Sequence, residues 1–497
     1  MAAAQVRATL GIDLGTGSTK AVLVDGGGRV VAECGAAHAA SAEVDTRAWW
    51  RSVLRAVRGV LRQAGPAVEV AGVGLTGQMH GVVPVDRSLR PLAPAITWAD
   101  TRSADTVAEV ASLAEPYAPA LANPVVAGMP AVTLRWFNVH RPRELCGAFL
   151  VLQPKDWLGA RLTGVPVTDP TDASATLLWD FGTARWHAGF LGALGIDAAL
   201  LPSVAASDAV RGGLVASAAR ALGLPAGLPV TVGRGDTAAA LVGSGAAGAP
   251  EYAQLSVGTG AQICRVVHAM RPDPTRRTHL YCGPGQAQWY AMAATLSAGL
   301  SLEWVRRLFG VSWPRLYGEA FACSPGADGV VFLPYVAGER TPYLDPGLTA
   351  AWRGLRLGHG RPQLLRAALE GSAFALREAW DALVAAGHGA SGFVLAGGGT
   401  LDPRWRQLLA DVLQRPLAVT PYGAGSARGA ALSAGVALRW FDDVLTAAAT
   451  AGTPHPVAEP GRHDYAVPLA RFRAFASGTQ RATVSGRGSR SAGGSAR

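Results

Sequence analysis

Short apolar stretches separated by glycine-rich turns dominate the start of the chain. Residues Ala8–Leu14 predict one strand, Ala21–Val24 a second, and Val30–Glu33 a third after the turn Gly26-Gly27-Gly28. Trp50, Val53, Leu54, Val57 and Leu61 then recur at helical spacing, which predicts a helix from about Arg47 to Gln63. The unbroken apolar run Val70–Leu75 predicts a buried strand leading into Thr76-Gly77-Gln78-Met79-His80-Gly81. A similar succession begins after the small-residue segment Gly243–Pro250, where the boundary between two halves is expected. It contains a hairpin over Leu255–Val267, a long helix near Gln363–Ala386, and a strand, Gly392–Ala396, that ends in Gly397-Gly398-Gly399. A helix from about Asp402 to Leu413 follows.

The two hairpins turn on the same residues. Gly15-Thr16-Gly17-Ser18 joins the first two strands, and Gly258-Thr259-Gly260 returns about 240 residues later. Glycine lets a backbone turn tightly and approach a ligand, so that successive N–H groups can line an anion site. Two such turns suggest two related halves gripping one polyphosphate. Neither copy is a P-loop, because no Gly-Lys-Ser/Thr order precedes a helix. Nor is the first a dinucleotide fingerprint, since Lys20 stands where a third glycine is required. Asp13, at the end of the first strand and beside the turn, is placed to hold Mg²⁺ or its waters.

Composition narrows the class. The chain has 497 residues, 49% of them apolar and 16% charged, which suits a multidomain globular protein. No apolar run is expected to span a membrane, and no basic region with an apolar core marks a signal peptide. Cys34, Cys146, Cys264, Cys282 and Cys323 are odd in number and widely spaced, as expected of buried free thiols in the cytoplasm. The net charge of +10 owes four arginines to the Gly/Ser/Ala-rich end, so a disordered tail is expected over 476–497. No basic cluster interleaved with aromatics calls for nucleic acid. Lys20 and Lys155 are the only lysines in an arginine-rich chain.

Three further segments carry candidate chemistry. Gly233-Arg234-Gly235-Asp236-Thr237 follows the strand Pro229–Val232 and precedes an alanine-rich helical run. Asp236 is there either a helix N-cap or the base that accepts a substrate hydroxyl proton. Gln78, Met79, His80 and Gly81 at a strand end fit a small pocket for a hydroxylated ligand, with a structural histidine and a core methionine as the plain alternative. Trp98, Asp100 and Arg102 offer an aromatic face, a carboxylate and a guanidinium to a polyhydroxy molecule, or else a packed ring beside a surface ion pair.

Three meandering strands, a helix and a further strand resemble half of a ribonuclease-H/actin-like ATPase domain. The expected fold class is therefore α/β, with two such domains of βββαβαβα type and an active-site cleft between them. The motifs together resemble the FGGY carbohydrate kinases, and among these most closely the xylulokinases. They are the Asp13–Lys20 loop, Thr76–Gly81, Gln153-Pro154-Lys155-Asp156-Trp157-Leu158, Thr168–Thr176, Gly233–Asp236, Ser256–Gly260, Gly338-Glu339-Arg340-Thr341-Pro342 with Asp345-Pro346, and Gly397–Gly399 with Trp405-Arg406. The resemblance covers residues 8–475.

It implies an ATP-dependent kinase in which Asp236 is the catalytic base and Asp13 serves metal and phosphate. Mg²⁺ would sit on Asp13, directly or through water, with Asp236 as a second candidate ligand. Gln78, Met79, His80, Gly81, Trp98, Asp100, Arg102 and Thr237 would contact sugar. Gly15, Thr16, Gly17, Ser18, Lys20, Gly258, Thr259, Gly260, Gly397, Gly398 and Gly399 would contact nucleotide. The expected division is a sugar-binding domain over 1–244 and a nucleotide-binding domain over 245–475. The expected reaction is D-xylulose to D-xylulose 5-phosphate; no nucleic acid or membrane partner is implied, and a homodimer is a possible assembly. Thr237 and Arg234 replace the family's usual Asn and Gly, which leaves gluconate, ribulose or a polyol such as glycerol or erythritol as alternatives. A sugar- and nucleotide-binding sensor without transfer activity is the alternative of another class, against which the intact Asp13 and Asp236 argue.

Overall fold

The structure, a computed structural model, describes residues 5–422 and 425–488. Strands β1 (Val6–Leu14), β2 (Ser18–Asp25) and β3 (Val30–Ala37) form an antiparallel meander, α1 (Thr46–Ala64) crosses it, and β4 (Val68–Gly77) returns parallel to β1. Two later strands, β5 (Val210–Gly213) and β6 (Pro229–Thr231), complete a sheet of order β5-β6-β4-β1-β2-β3. The short strand Arg234–Gly235 pairs with the end of β4, and α2 (Asp236–Gly243) follows it directly.

The second half repeats the plan. Strands β7 (Tyr252–Val257), β8 (Ala261–Val267), β9 (His279–Cys282) and β10 (Trp289–Thr295) pair antiparallel along the chain β7-β8-β10-β9. Helix α3 (Arg361–Ala385) then leads to β11 (Gly392–Ala396), parallel to β7. After α4 (Pro403–Leu413) come β12 (Leu417–Val419), α5 (Ser426–Ala437) and the edge strand β13 (His455–Ala458). The sheet order is β9-β10-β8-β7-β11-β12-β13. In both halves the meander, the crossover helix and the parallel return match the ribonuclease-H/actin-like plan. Because a crossover returns each strand to the same end, the carboxyl ends of β1, β4, β7 and β11 carry the glycine turns.

Helix α5 joins the halves. It lies so close to the first sheet that a Cβ on Gly11 or Gly74 would come within 2 Å of the Ala427 or Ala430 carbonyl oxygen. Only glycine on β1 and β4 allows this backbone contact.

The expected elements differ from the observed ones mostly by a few residues at their ends. The buried face of α1 is Trp49, Val53, Ala56, Val57 and Val60, shifted from the expected stripe, and Trp50 instead carries Arg161 over its ring at 4.4 Å. Its start is fixed by Asp45, which accepts a hydrogen bond from the Arg47 N–H at 2.9 Å. Helix α6 (Ala466–Gly488) continues beyond residue 475, where a disordered tail was expected. Leu469, Phe472 and Ala476 bury one face of its earlier turns. Residues 489–497 of that expected tail lie outside the described residues. All five cysteines are free, but only Cys264 and Cys323 are buried, and Cys146 is exposed. Among the described residues no helix is long and apolar enough to cross a membrane.

Candidate active site

Strand register gathers the acidic residues. Thr76 on β4 pairs with Asp13 on one side and with Arg234 on the other, and Gly77 pairs likewise with Leu14 and Gly235. Two strand spacings therefore separate the backbones carrying Asp13 and Arg234, about 10 Å. Asp236 begins α2, whose N-cap is Gly235. Its carboxylate caps nothing beyond its neighbour: Oδ1 accepts from the Thr237 hydroxyl at 3.2 Å. The N-cap reading of Asp236 is thus replaced by that of a carboxylate in the first turn of a helix.

Both carboxylates are perturbed. Burial, then the Asp236 charge, pushes Asp13 up to about 7, against the opposing pull of Lys20. Burial raises Asp236 to about 6, moderated by hydrogen bonds from Thr237. A carboxylate near 6 is ionised at neutral pH yet still basic enough to take a proton. Removing its hydroxyl partner weakens the ionised form. Thr237→Val is therefore expected to move the acid limb of kcat/KM above pH 6, a shift that a pH–rate profile over pH 5–9 would register.

Beyond β4 the chain turns into the pocket. The Gln78 N–H donates to the Leu14 carbonyl at 2.9 Å, while both polar atoms of its buried side chain have no protein partner. Met79 lies against Gly235 and takes a long hydrogen bond from the Tyr290 hydroxyl to Sδ at 3.7 Å. His80 has φ +67° and is held by two contacts, its N–H to Gln153 Oε1 at 3.0 Å and its Nδ1 to the Ala175 carbonyl at 2.8 Å. The second contact makes Nδ1 the protonated nitrogen and leaves Nε2 as an acceptor. Burial and then the Arg340 charge lower His80 to about 4, so the ring is neutral. The Asp13 Oδ1 and Thr76 Oγ1 atoms are likewise buried without partners. Polar atoms left open along one cleft are suited to a polar ligand.

The glycine loops sit at the carboxyl ends of their strands. The Gly15 N–H donates to the Ser18 carbonyl at 3.0 Å and the Gly258 N–H to the Gly260 carbonyl at 2.9 Å, so the second hairpin turns one residue more tightly than the first. Gly397 has φ +78°, and a Cβ there would lie 2.5 Å from the Val257 carbonyl oxygen. Gly397–Gly399 therefore pack directly against the strand that leads into Gly258. Lys20 pairs with Asp13 across the first hairpin.

Other expected sugar contacts already have partners within the protein. Arg102 donates through Nε to both oxygens of Asp100, at 2.9 and 2.8 Å, and reaches Glu43 at 2.6 Å. Asp100 and Arg102 thus form a partly buried ion pair, and Trp98 donates from its indole N–H to Thr16 Oγ1 at 2.9 Å. Arg234 is fully buried: it donates to both oxygens of Asp208 at 2.8 and 2.9 Å, to the Pro284 carbonyl at 3.1 Å and to Ser433. It ties two loops to helix α5 rather than entering the pocket.

Sequence reasoning assigned no role to several neighbours of the site. Gln262 lies 3.5 Å from the Thr237 hydroxyl, and Thr171 Oγ1 accepts the Gly235 N–H at 2.8 Å. His279, Tyr281 and Arg340 close the pocket beyond His80. Of these, only Thr171 and Arg340 carried a signal, being inside the quoted motifs.

The family model for the FGGY family of carbohydrate kinases, N-terminal domain, matches residues 8–243, and that for its C-terminal domain matches 253–438. A xylulose kinase of Escherichia coli (strain K12) is 34% identical over 436 residues, 86% of this chain and 90% of that relative. The crystal structure of a protein from Brucella ovis described as a "xyloylose kinase" has a TM-score of 0.85 at 31% identity, covering 95% of this chain and 97% of its own. A gluconate kinase from Lactobacillus acidophilus reaches 0.86 at 22% identity, with 95% and 97% covered, which is a likeness of fold alone.

Proposed function

The chain belongs to the FGGY family of carbohydrate kinases, and on that premise we propose that it phosphorylates D-xylulose at its 5-hydroxyl. It is an ATP-dependent carbohydrate kinase. The observation that carries the mechanism is Asp236, a partly buried carboxylate beside the carboxyl end of β4, free of capping duty and tuned to about 6. Asp236 accepts the hydroxyl proton as the 5-oxygen attacks the γ-phosphorus of ATP. The bond between that phosphorus and the β,γ-bridging oxygen breaks, ADP leaves, and the proton passes to solvent. Transfer of this kind depends on positioning and on spreading charge rather than on a covalent intermediate.

The sugar-binding part is residues 1–244, with Met79 and His80 lining the pocket. The nucleotide-binding part is 245–475, whose Gly258–Gly260 and Gly397–Gly399 loops hold the nucleotide together with Gly15–Gly17 of the first part. Mg²⁺ fits the donors present: the open Asp13 Oδ1 supplies one hard oxygen, and Asp236 is near enough to raise its neighbour's pKa. Among the described residues no group of three or more His, Cys, Asp or Glu side chains is set to hold a metal alone. That suits an ion bound mainly through phosphate oxygens and water, where it neutralises charge on the transferred group. The five free thiols suit a reducing cytoplasm.

The deciding experiment is ADP release with Mg²⁺-ATP across D-xylulose, D-ribulose, L-ribulose, D-gluconate, glycerol and erythritol. D-xylulose as the best substrate supports the reading. A clear preference for another compound keeps the kinase and replaces the sugar.

Asp13 gives a second prediction. Its folded pKa lies above the unfolded value of 3.8, so its ionisation opposes folding increasingly as pH rises from 4 to 7. Asp13→Asn is therefore expected to raise Tm more at pH 7.5 than at pH 4.5 while lowering kcat at least 100-fold. Equal Tm shifts at both pH values would count against the raised pKa.

A further inference from the structure

Past His80 the sugar pocket ends in a small cavity of about 20 Å³, room for a single polar end group rather than a ring. Its polar walls are His80, His279, Tyr281 and Arg340, with Trp98 and Met292 beside them. The Tyr281 hydroxyl and His279 Nδ1 are buried and have no partner in the protein. The Arg340 guanidinium stacks 5.3 Å over the Trp98 ring and enters no ion pair among the described residues. The groups whose charge acts on it are Tyr281 and, after it, its own neighbour Glu339, whose Oε1 accepts the Leu296 and Arg340 N–H groups. His80 Nε2 completes the set as a bare acceptor, since Nδ1 is spent on Ala175.

A cation and a hydroxyl that want an oxygen acceptor thus stand beside a ring nitrogen that wants a proton donor. Resting on the D-xylulose reading, we infer that Arg340 and Tyr281 bind the C2 carbonyl oxygen of the open-chain ketose while His80 Nε2 accepts its C1 hydroxyl. The open chain is required by the reaction itself. In the furanose form the 5-oxygen is the ring oxygen and cannot accept phosphate, so the transferable hydroxyl exists only in the acyclic ketone. A pocket that holds an α-hydroxyketone at the end opposite Asp236 selects that form from solution. It also discriminates against polyols, which offer a hydroxyl where the carbonyl should be and so pair less well with a guanidinium.

The test compares D-xylulose with xylitol and D-arabinitol in the ADP-release assay, for wild type, Tyr281→Phe and Arg340→Met. A hydrogen bond to a charged group contributes enough for a 10- to 100-fold effect, a neutral one for less. Arg340→Met should raise KM for D-xylulose about 30- to 100-fold, and Tyr281→Phe about 5- to 20-fold, with KM for ATP within twofold. The KM for either polyol should change less than threefold in both variants. Tyr281→Phe removes one oxygen and preserves the ring, so it tests the contact even if Arg340→Met does not fold. Equal losses for ketose and polyol, or an unchanged KM for D-xylulose in Tyr281→Phe, overturn the inference. Wild-type turnover on D-gluconate exceeding that on D-xylulose also overturns it, because a carboxylate would then be the group Arg340 reads. Failure of wild type on D-xylulose instead overturns the substrate reading beneath it.

Discussion

Asp236→Ala is expected to lower kcat by at least 1,000-fold and leave the Kd for ATP within about threefold of wild type. The asymmetry follows from where the residue stands. Asp236 opens α2 on the first half, beside Met79 and Thr237, whereas the glycine turns expected to hold nucleotide are separate backbone segments. Removing the carboxylate deletes the proton acceptor without touching those turns. Asp236→Asn should behave alike, since it keeps the shape and cannot take the proton. In wild type, kcat/KM should begin to fall below pH 7 as Asp13 protonates and fall more steeply below pH 6, because burial holds Asp236 near that value and only its ionised form is a base. The measurement is steady-state ADP release with calorimetric ATP binding on the same samples. A variant retaining a tenth of the wild-type rate would remove Asp236 from the role of base. A variant that loses ATP binding along with turnover would point to a phosphate or metal role instead.

The repeated architecture is legible in the sequence because strand and turn are local events. The Gly-Thr-Gly hairpins, the apolar stretches and the glycines at strand ends each announce themselves within ten residues. The convergence of Asp13, Gln78–His80 and Asp236 is legible once β4 is seen to run between the other two segments. Other parts of the site are not local. His279 and Tyr281 reach the pocket only because β9 pairs with β10, and Arg340 only because its loop folds back over Trp98. No spacing along the chain predicts that meeting. Asp100 and Arg102 show the converse. A carboxylate and a guanidinium two residues apart serve equally as ligands or as a pair, and the position of Glu43, far off in sequence, decides for the pair.

Lys155→Met is expected to destabilise the protein by about 3–5 kcal/mol, a fall in Tm of about 10 °C, and to slow catalysis below that temperature. Lys155 is fully buried with three equally buried carboxylates. Its Nζ lies 2.5 Å from Asp156, 3.3 Å from Asp169 and 3.4 Å from Asp172. Burial alone would lower the lysine's pKa, but the three charges together more than offset it and raise it. Arg211 stands nearby, its guanidinium donating to the Val165 and Val167 carbonyls. Burial pushes Asp172 well up, as do Asp156, Asp169 and Asp236, against the pull of Lys155, so Asp172 takes the proton and the cluster balances. Methionine fills the space and removes one cation, leaving a buried carboxylate uncompensated. Its protonation then becomes the price of folding, so the deficit in Tm should be larger at pH 8 than at pH 5.5. Asp172→Asn in the same background leaves it, because the proton already neutralises that group; Asp169→Asn should recover part of it. The effect on rate has a separate route. Asp169 accepts the Thr171 hydroxyl at 2.6 Å, and Thr171 accepts the Gly235 N–H, so the cluster anchors the backbone that presents Asp236. An unchanged Tm at pH 8 would show that Lys155 is not the counterion on which this anchor depends.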